Sequence, residues 1–503
     1  MKRPLVALLK LENKAKDVEA TPPFGLLYLT SALERAGFEV AAFHEAGTPA
    51  NIESILTRVL ALDPLFIGFS ILTGPSLIPS LAASKEVRRR SKVPVVWGGV
   101  FPSMLPRDML RSPFVDVVAV GEGEETIVEL ARHYADASDR PAGLKNIPGI
   151  AYRENGTAKI NPARPYVADP DLYPPAWGHV DIDRYLFGYR AYFAQMESGS
   201  RLPAGKTGTL MTSRGCPSRC GYCYNQFVNK RRFRAHSVRH VLAEVEWLKK
   251  DHQITGVVFF DDNFFSDPRR ALEIVRNMGL PWNASFRADY APRFGDDFFR
   301  QLRDSGCREL RIGAESGSQR VLDLMQKDIA VADIRRSAEL CRKYDIRALF
   351  NFMIGLPGET WPDMRMTLDL MDDLDKMGQG VVSFGPVVYL PWPGTALFDR
   401  AVELGFHPPE RPEEWAVDLG ARQPATPYVD RRARHINYFR ILACRMNVEG
   451  VPFRRPAKFL RFLARKRWEK RMFRFPLDYY APRFFFEMLR SLGLRKNIPS
   501  IYA

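Results

Sequence analysis

Three cysteines crowd into eight residues of the segment Thr212-Ser-Arg-Gly-Cys216-Pro-Ser-Arg-Cys220-Gly-Tyr-Cys223, directly after an apolar run that reads as a strand. A loop with this spacing can gather its thiolates around one iron-sulfur cluster. Three protein thiolates on four irons leave one iron without a protein ligand. That open position is what a substrate or cofactor needs in order to bind metal. A zinc site is one alternative; it needs a fourth ligand, for which His236 and His240 are the nearest histidines, although structural zinc usually takes two separated cysteine pairs. A redox cysteine pair is another, and it leaves the third cysteine without a role.

The elements that must hold this loop form a regular series. Strands are predicted at Gly208 to Thr212, Val257 to Asp261, Trp282 to Arg287, Glu309 to Ile312, Arg347 to Met353 and Val381 to Tyr389, separated by helices such as Val238 to Asp251 and Asp333 to Tyr344. Six such units predict a partial (β/α)6 barrel over 201–425, with its chemistry on the loops that follow the strands. Residues 1–135 show a second alternation, with strands at Leu5 to Leu9, Phe38 to Phe43, Leu65 to Phe69, Val93 to Trp97 and Val115 to Val120. This predicts a doubly wound, Rossmann-like α/β domain that binds its ligand at the carboxyl ends of the strands. Between them, 136–200 is rich in Pro, Tyr and Asp and reads as a linker, and 426–503 as a basic, mostly helical region.

Length and composition agree with this division. The 503 residues exceed one ordinary domain, and nearly half are apolar with a quarter charged, which excludes a disordered chain. Six cysteines, three of them (Cys307, Cys341 and Cys444) standing alone, do not make a disulfide scaffold; a reducing cytoplasm is expected. The start, MKRPLVALLKLENK, reads as a first strand and not as a signal peptide. Leu65 to Ala83 contains no charged residue, yet Gly68, Gly74, Pro75 and Pro79 mark a strand, a turn and a helix start, not a membrane span.

The cysteine loop at the end of the first barrel strand resembles the signature of the radical S-adenosylmethionine superfamily, Cys-x3-Cys-x-aromatic-Cys. The resemblance implies a [4Fe-4S] cluster on Cys216, Cys220 and Cys223 whose open iron chelates the amino and carboxylate groups of S-adenosylmethionine (SAM). It further implies reductive cleavage to a 5′-deoxyadenosyl radical that takes hydrogen from an unactivated carbon. Carried over residue by residue, Tyr222 contacts the adenine, and Asp261, Asp262 and Asn263 after the second strand accept from the methionine amino group. The Asp pair has an alternative as part of a helix start near Asp267-Pro268. Glu315, Ser316 and Gly317 resemble the loop that meets the ribose and the carboxylate, and Gly355 the adenine-side loop, or only a tight turn. Arg287 is a candidate for the SAM carboxylate or for a structural ion pair.

The first domain is similar to cobalamin-binding domains. Ser70-Ile-Leu72 after the third strand and Gly98-Gly99 after the fourth match their Ser-x-Leu and Gly-Gly elements, and Gly121 and Glu122 after the fifth also fit this subgroup. Small residues there let a corrin and its nucleotide tail approach the backbone. The histidine element of such domains is missing from the loop Glu12 to Thr21, and His44 reads as structural, so cobalamin is expected to bind without a protein histidine on cobalt.

Together the domains resemble class B radical SAM methyltransferases. The expected activity is cobalamin-dependent methylation of an unactivated carbon in a lipid-like, tetrapyrrole or natural-product substrate. The alternatives are an oxidative cyclase or other non-methylating radical enzyme, and a non-catalytic cobalamin-sensing or electron-transfer protein. An electron donor such as flavodoxin or ferredoxin is implied. Of the net charge of +15, +11 lies in 451–503, where Phe453 to Trp468 mixes cations and aromatics at helical spacing. This predicts either an amphipathic helix on an anionic membrane surface, which would make the protein peripheral, or a helix packed on the barrel, with nucleic acid the weakest reading.

Overall fold

The first sheet takes the order β2-β1-β3-β4-β5 in parallel, from β1 (Leu5–Glu12), β2 (Glu39–Ala46), β3 (Ile67–Ser70), β4 (Val95–Gly98) and β5 (Val117–Ala119). The computed structural model describes residues 3–13, 21–72, 74–136, 143–186, 202, 205–378, 380–415, 426–430, 432–440 and 454–473. Residues 14–20 of the first loop, Cys444, Phe453 and the tail beyond 473 lie outside them. β1 is apolar almost throughout because both of its faces are covered. Val6 and Leu8 pack with the helices Phe24–Arg35 and Glu124–Ala135, while Ala7, Leu9 and Leu11 pack on the opposite face with Pro49–Ala61 and Gly74–Arg90. The uncharged stretch from Leu65 is therefore β3 and the start of a helix, and among the described residues no helix is long and apolar enough to cross a membrane.

The segment expected to be a linker contributes to this sheet. β6 (Ile150–Glu154) pairs antiparallel with β5, and β7 (Thr157–Ile160) pairs antiparallel with β6. Asn155 and Gly156, with φ of 49° and 79°, make the two-residue turn that matches strand twist. The signal was present as Asn-Gly between two short alternating runs, but the Pro- and Asp-rich surroundings masked it.

The second sheet is wholly parallel, in the order β15-β14-β13-β12-β11-β8. Its members are β8 (Thr207–Leu210), β11 (Gly256–Phe259), β12 (Trp282–Arg287), β13 (Cys307–Glu315), β14 (Arg347–Ile354) and β15 (Val381–Val388). It is the open six-stranded barrel expected from the sequence. Two short strands, β9 (Ser213–Arg214) and β10 (Arg234–Ala235), pair antiparallel on either side of the cysteine loop.

The basic C-terminal helix Arg454–Glu469 lies on the barrel. Ala464, Trp468 and Phe473 join its core, Trp468 Nε1 donates to Asp372 at 2.9 Å, and Arg471 pairs with Asp369 and Asp372. Arg440, in the helix Ala433–Arg440, is buried against Asp375. Phe462 and Met472 remain more than half exposed.

Candidate active site

The cysteine loop is held from below by two adjacent carboxylates. Asp261, just past β11, accepts from Thr212 N (3.3 Å), Thr212 Oγ1 (2.9 Å) and Ser213 Oγ. Burial pushes its carboxyl up to about 6, opposed by the hydroxyl of Ser213, the charge of Arg270 and the Thr212 bonds. Asp262 accepts from Gly215 N (2.9 Å) and from Tyr224 OH (2.7 Å). Gly215 has φ of 81°, and a Cβ there would lie 2.0 Å from Arg232 O, so the turn into Cys216 needs glycine. The Asp pair expected to receive an ammonium group instead supports the cysteine loop, and Asp267, not the pair, caps the next helix through Arg270 N.

Asn263 does face the cysteines. Its Nδ2 donates to Tyr290 OH (2.8 Å) and lies 3.4 Å from Cys216 Sγ, while its Oδ1 is buried without a hydrogen-bond partner. An unsatisfied buried amide oxygen is costly alone and suits an ammonium donor beside the cluster position. Arg287, at the end of β12, brings Nη1 to 3.5 Å of Cys220 Sγ; its Nε donates to Asp289 (2.9 Å) and its Nη2 to Lys327 O (2.8 Å). Arg287 is thus both in an ion pair, as one sequence reading allowed, and directed at a cluster cysteine.

Tyr222, Glu315 and Lys327 form a closed trio. Tyr222 OH donates to Glu315 Oε1, and Lys327 Nζ donates to both, all at 2.9 Å. Burial opposes the charge on Lys327, but Glu315 and then Cys220 outweigh it and hold its pKa above the ordinary value. A Cβ on Gly313 would lie 2.5 Å from Glu315 Oε1 and 2.9 Å from Lys327 Nζ, so a bare backbone makes room for the pair. Glu315 itself takes a left-handed φ of 63°, where β13 shifts register against β14. Lys327 carried no sequence signal.

The loops expected to meet ribose and carboxylate are used otherwise. Ser316 Oγ bonds Thr367 Oγ1 (2.9 Å), Gly317 N donates to the same hydroxyl (3.0 Å), and Ser318 Oγ donates to Asp363 (2.7 Å). A Cβ on Gly317 would meet Met366 O at 2.3 Å. This loop is fastened to the helix Trp361–Met377, and its N–H groups at 316–318 are already bonded internally. Gly355, with φ of 78°, donates to Glu359 and packs against Val388 and Val429. Glu359, four residues on in the same loop, is pushed up to about 8 by burial.

On the first sheet, Ile71 N donates to Gly98 O (2.8 Å), and a Cβ on Gly99 (φ 103°) would lie 2.4 Å from Ile71 O. Gly98 and Gly99 therefore bring the β3 and β4 loops together. Ser70 lies at the end of β3, Leu72 is 49% exposed, and Gly121 (φ 86°) faces open space. An exposed apolar side chain beside side-chain-free backbone at the carboxyl edge of a parallel sheet fits a broad, flat ligand such as a corrin. Glu122 does not belong to that surface. It accepts from Val167 N (2.7 Å) and pairs with Arg214 (3.2 Å) and Arg234 (2.5 Å). His44 is buried between Tyr185 OH (3.0 Å) and Glu12 (3.5 Å), and burial pushes its pKa down to about 4, which is the structural role expected of it.

Arg214 joins the two sites. Two residues before Cys216, it is partly buried, pairs with Glu122 and with Glu124 (2.6 Å), and lies over the Tyr28 ring at 4.4 Å. Tyr28 OH in turn donates to Met211 O (3.1 Å) at the end of β8. His236 and His240, considered above as zinc ligands, gather instead around Asp171, at 3.0 and 3.8 Å. Their rings stack at 4.5 Å, and with Asp171 they bring three ligand atoms within 4.8 Å of one another, a group that includes no cysteine of the loop.

Comparison with known families agrees with the two domains. The Radical SAM superfamily profile matches residues 210–371, and the B12 binding domain profile matches residues 14–131. The chain is 29% identical over 408 residues to an uncharacterized methyltransferase of Pyrococcus horikoshii, covering 79% of this chain and 83% of that one. It is 26% identical over 400 residues to the anaerobic magnesium-protoporphyrin IX monomethyl ester cyclase of Cereibacter sphaeroides, covering 75% of this chain and 60% of that one. Two solved structures share the fold. The radical S-adenosylmethionine methyltransferase TsrM from Kitasatospora setae has a TM-score of 0.63 at 21% identity, covering 80% of this chain and 78% of that one. The cobalamin-dependent S-adenosylmethionine radical enzyme OxsB has a TM-score of 0.66 at 19% identity, covering 98% and 76%.

Proposed function

Because the chain is a cobalamin- and SAM-binding enzyme of the radical SAM superfamily, with a B12-binding domain ahead of the radical domain, we propose that it takes hydrogen from an unactivated carbon of an organic substrate bound between the two domains. The observation that carries this reading is Arg214, which ties the cysteine loop to Glu122 and Glu124 of the corrin domain. Cys216, Cys220 and Cys223 would hold the cluster, Asn263 Oδ1 would accept from the SAM amino group, and Leu72, Gly98, Gly99 and Gly121 would line the corrin. Once reduced by one electron, a cluster so held supplies reductive cleavage of SAM. The protein's part is positioning. Asp261 and Asp262 fix the loop, and Lys327 and Tyr222 hold Glu315.

Two outcomes follow for the substrate. The first is ring closure or another oxidation without methyl gain, supported by the similarity to three anaerobic magnesium-protoporphyrin cyclases. The second is methyl transfer by way of cobalamin, the outcome expected from the sequence, supported by the relatives that carry a methyltransferase name. A polycyclic lipid or tetrapyrrole substrate and a flavodoxin- or ferredoxin-type donor belong to the same proposal. So does contact with a membrane surface through the exposed Phe462 and Met472.

Incubating the reconstituted protein anaerobically with reductant, cobalamin and SAM labelled with deuterium in its methyl group tests these readings. Release of 5′-deoxyadenosine is expected; an intact cluster without it would leave only a cobalamin-sensing or electron-transfer protein. A deuterated methyl group in the product identifies the methyl-transfer outcome, and an unlabelled oxidised product identifies the cyclase outcome.

A further inference from the structure

Two of the three cluster cysteines meet a nitrogen donor from another strand end of the barrel. Asn263 Nδ2 lies 3.4 Å from Cys216 Sγ, and Arg287 Nη1 lies 3.5 Å from Cys220 Sγ. Arg287 cannot easily swing toward another partner. Its Nε is held by Asp289 and its Nη2 by Lys327 O, which leaves Nη1 directed at sulfur. Lys327, whose backbone carbonyl holds Arg287, is itself buried with its Nζ bonded to Glu315 and Tyr222.

We propose that Arg287 is a positioning residue that raises the reduction potential of the cluster by donating to Cys220 Sγ, and is not the ligand of the SAM carboxylate. Reduction adds one electron from a low-potential one-electron donor, and no bond forms or breaks in the protein. The added negative charge spreads onto the cluster sulfurs and their cysteine ligands, so a fixed N–H donor stabilises the reduced state more than the oxidised one. A charged guanidinium does this more strongly than a neutral amide, because charge-assisted hydrogen bonds are about twice as strong as neutral ones. Arg287 therefore outweighs Asn263, which acts the same way at Cys216. Removing either donor makes the cluster harder to reduce.

The inference rests on the three-cysteine cluster. Iron content and the electron paramagnetic resonance signal of the unmutated chain test that reading in the same samples. The experiment is a redox titration of the full reconstituted chain without SAM, followed by that signal, in Arg287→Gln, Arg287→Lys and Asn263→Ser. Arg287→Gln is expected to lower the one-electron reduction equilibrium about tenfold, a midpoint shift of about 59 mV. Arg287→Lys keeps the charge but moves the donor, so a smaller downward shift is expected, and this variant is read alone if the Gln variant does not retain its cluster. Asn263→Ser is expected to shift in the same direction by less. An unchanged midpoint in the Arg287 variants overturns the proposal, and loss of SAM affinity at that unchanged midpoint would return Arg287 to the carboxylate role.

Discussion

The two cofactor sites are built by opposite means. Around the cysteine loop nearly every support is a polar side chain with a fixed partner: Asp261 on Thr212 and Ser213, Asp262 on Gly215 and Tyr224, Lys327 on Glu315. On the first sheet the surface proposed for the corrin leaves side chains out, at Gly98, Gly99 and Gly121, with Leu72 exposed beside them. A small charged cluster needs directed donors and a rigid frame, because misplacing a thiolate loses a metal bond. A broad corrin needs clearance and apolar contact, and tolerates a less elaborate wall.

The contrast is broken most completely at the cysteines. Replacing Cys216, Cys220 or Cys223 by Ala is expected to abolish the iron-sulfur absorbance and reduce 5′-deoxyadenosine to background, while cobalamin binding, read by its visible spectrum, survives. The next effect falls on the joint between the sites. Arg214→Met leaves the buried Glu124 without its cation, while Glu122 keeps Arg234. Breaking such a pair should cost about 3 kcal/mol of stability, measured by denaturant unfolding. On the corrin side the expected change is milder. Covering the exposed half of Leu72 with ligand contributes on the order of 1 kcal/mol, so Leu72→Ser should weaken cobalamin binding about fivefold and leave the cluster unchanged.

The smallest effect is one of pH. Glu359 has its folded pKa raised to about 8 and Asp261 to about 6, so their neutral forms favour the fold. The folded state then binds more protons than the unfolded one, and stability falls as pH rises through these values. The melting temperature should therefore rise from about pH 8 down to about pH 6.5. Below that, His44 and His236, held down to about 4 by burial, charge only on unfolding and oppose a further rise. Glu359→Gln should remove most of the increase between pH 8 and 6.5, as followed by thermal melting.

Periodicity made the parallel strands of both sheets legible, because buried parallel strands are short apolar runs bounded by turns, whereas the antiparallel β6 and β7 read as linker. The cysteine loop was legible for a different reason, since its spacing is a local property of the chain. What surrounds it was not. Asp261 and Asp262 stand where an ammonium acceptor was expected, but only the folded loop shows that their oxygens also accept from Thr212, Ser213, Gly215 and Tyr224. Glu122 looked like part of the corrin wall until Arg214 and Arg234, about a hundred residues away, were placed beside it. Lys327 left no trace because a lone lysine in a turn looks like any solvated one. Ligand spacing is written locally, whereas the satisfaction of a buried polar group depends on neighbours that only the fold supplies.

The hairpin at the end of the first sheet has a bearing on handling the protein. Without it, β5 would present a row of unpaired backbone groups to any other strand in solution. β6 covers that row, and the new margin, β7, is only four residues long, largely exposed and carries Lys159. Short, charged margins are poor templates for further pairing. Deleting the hairpin as though it were a spacer would therefore be expected to yield chains that stick to one another, even with every cofactor ligand left in place.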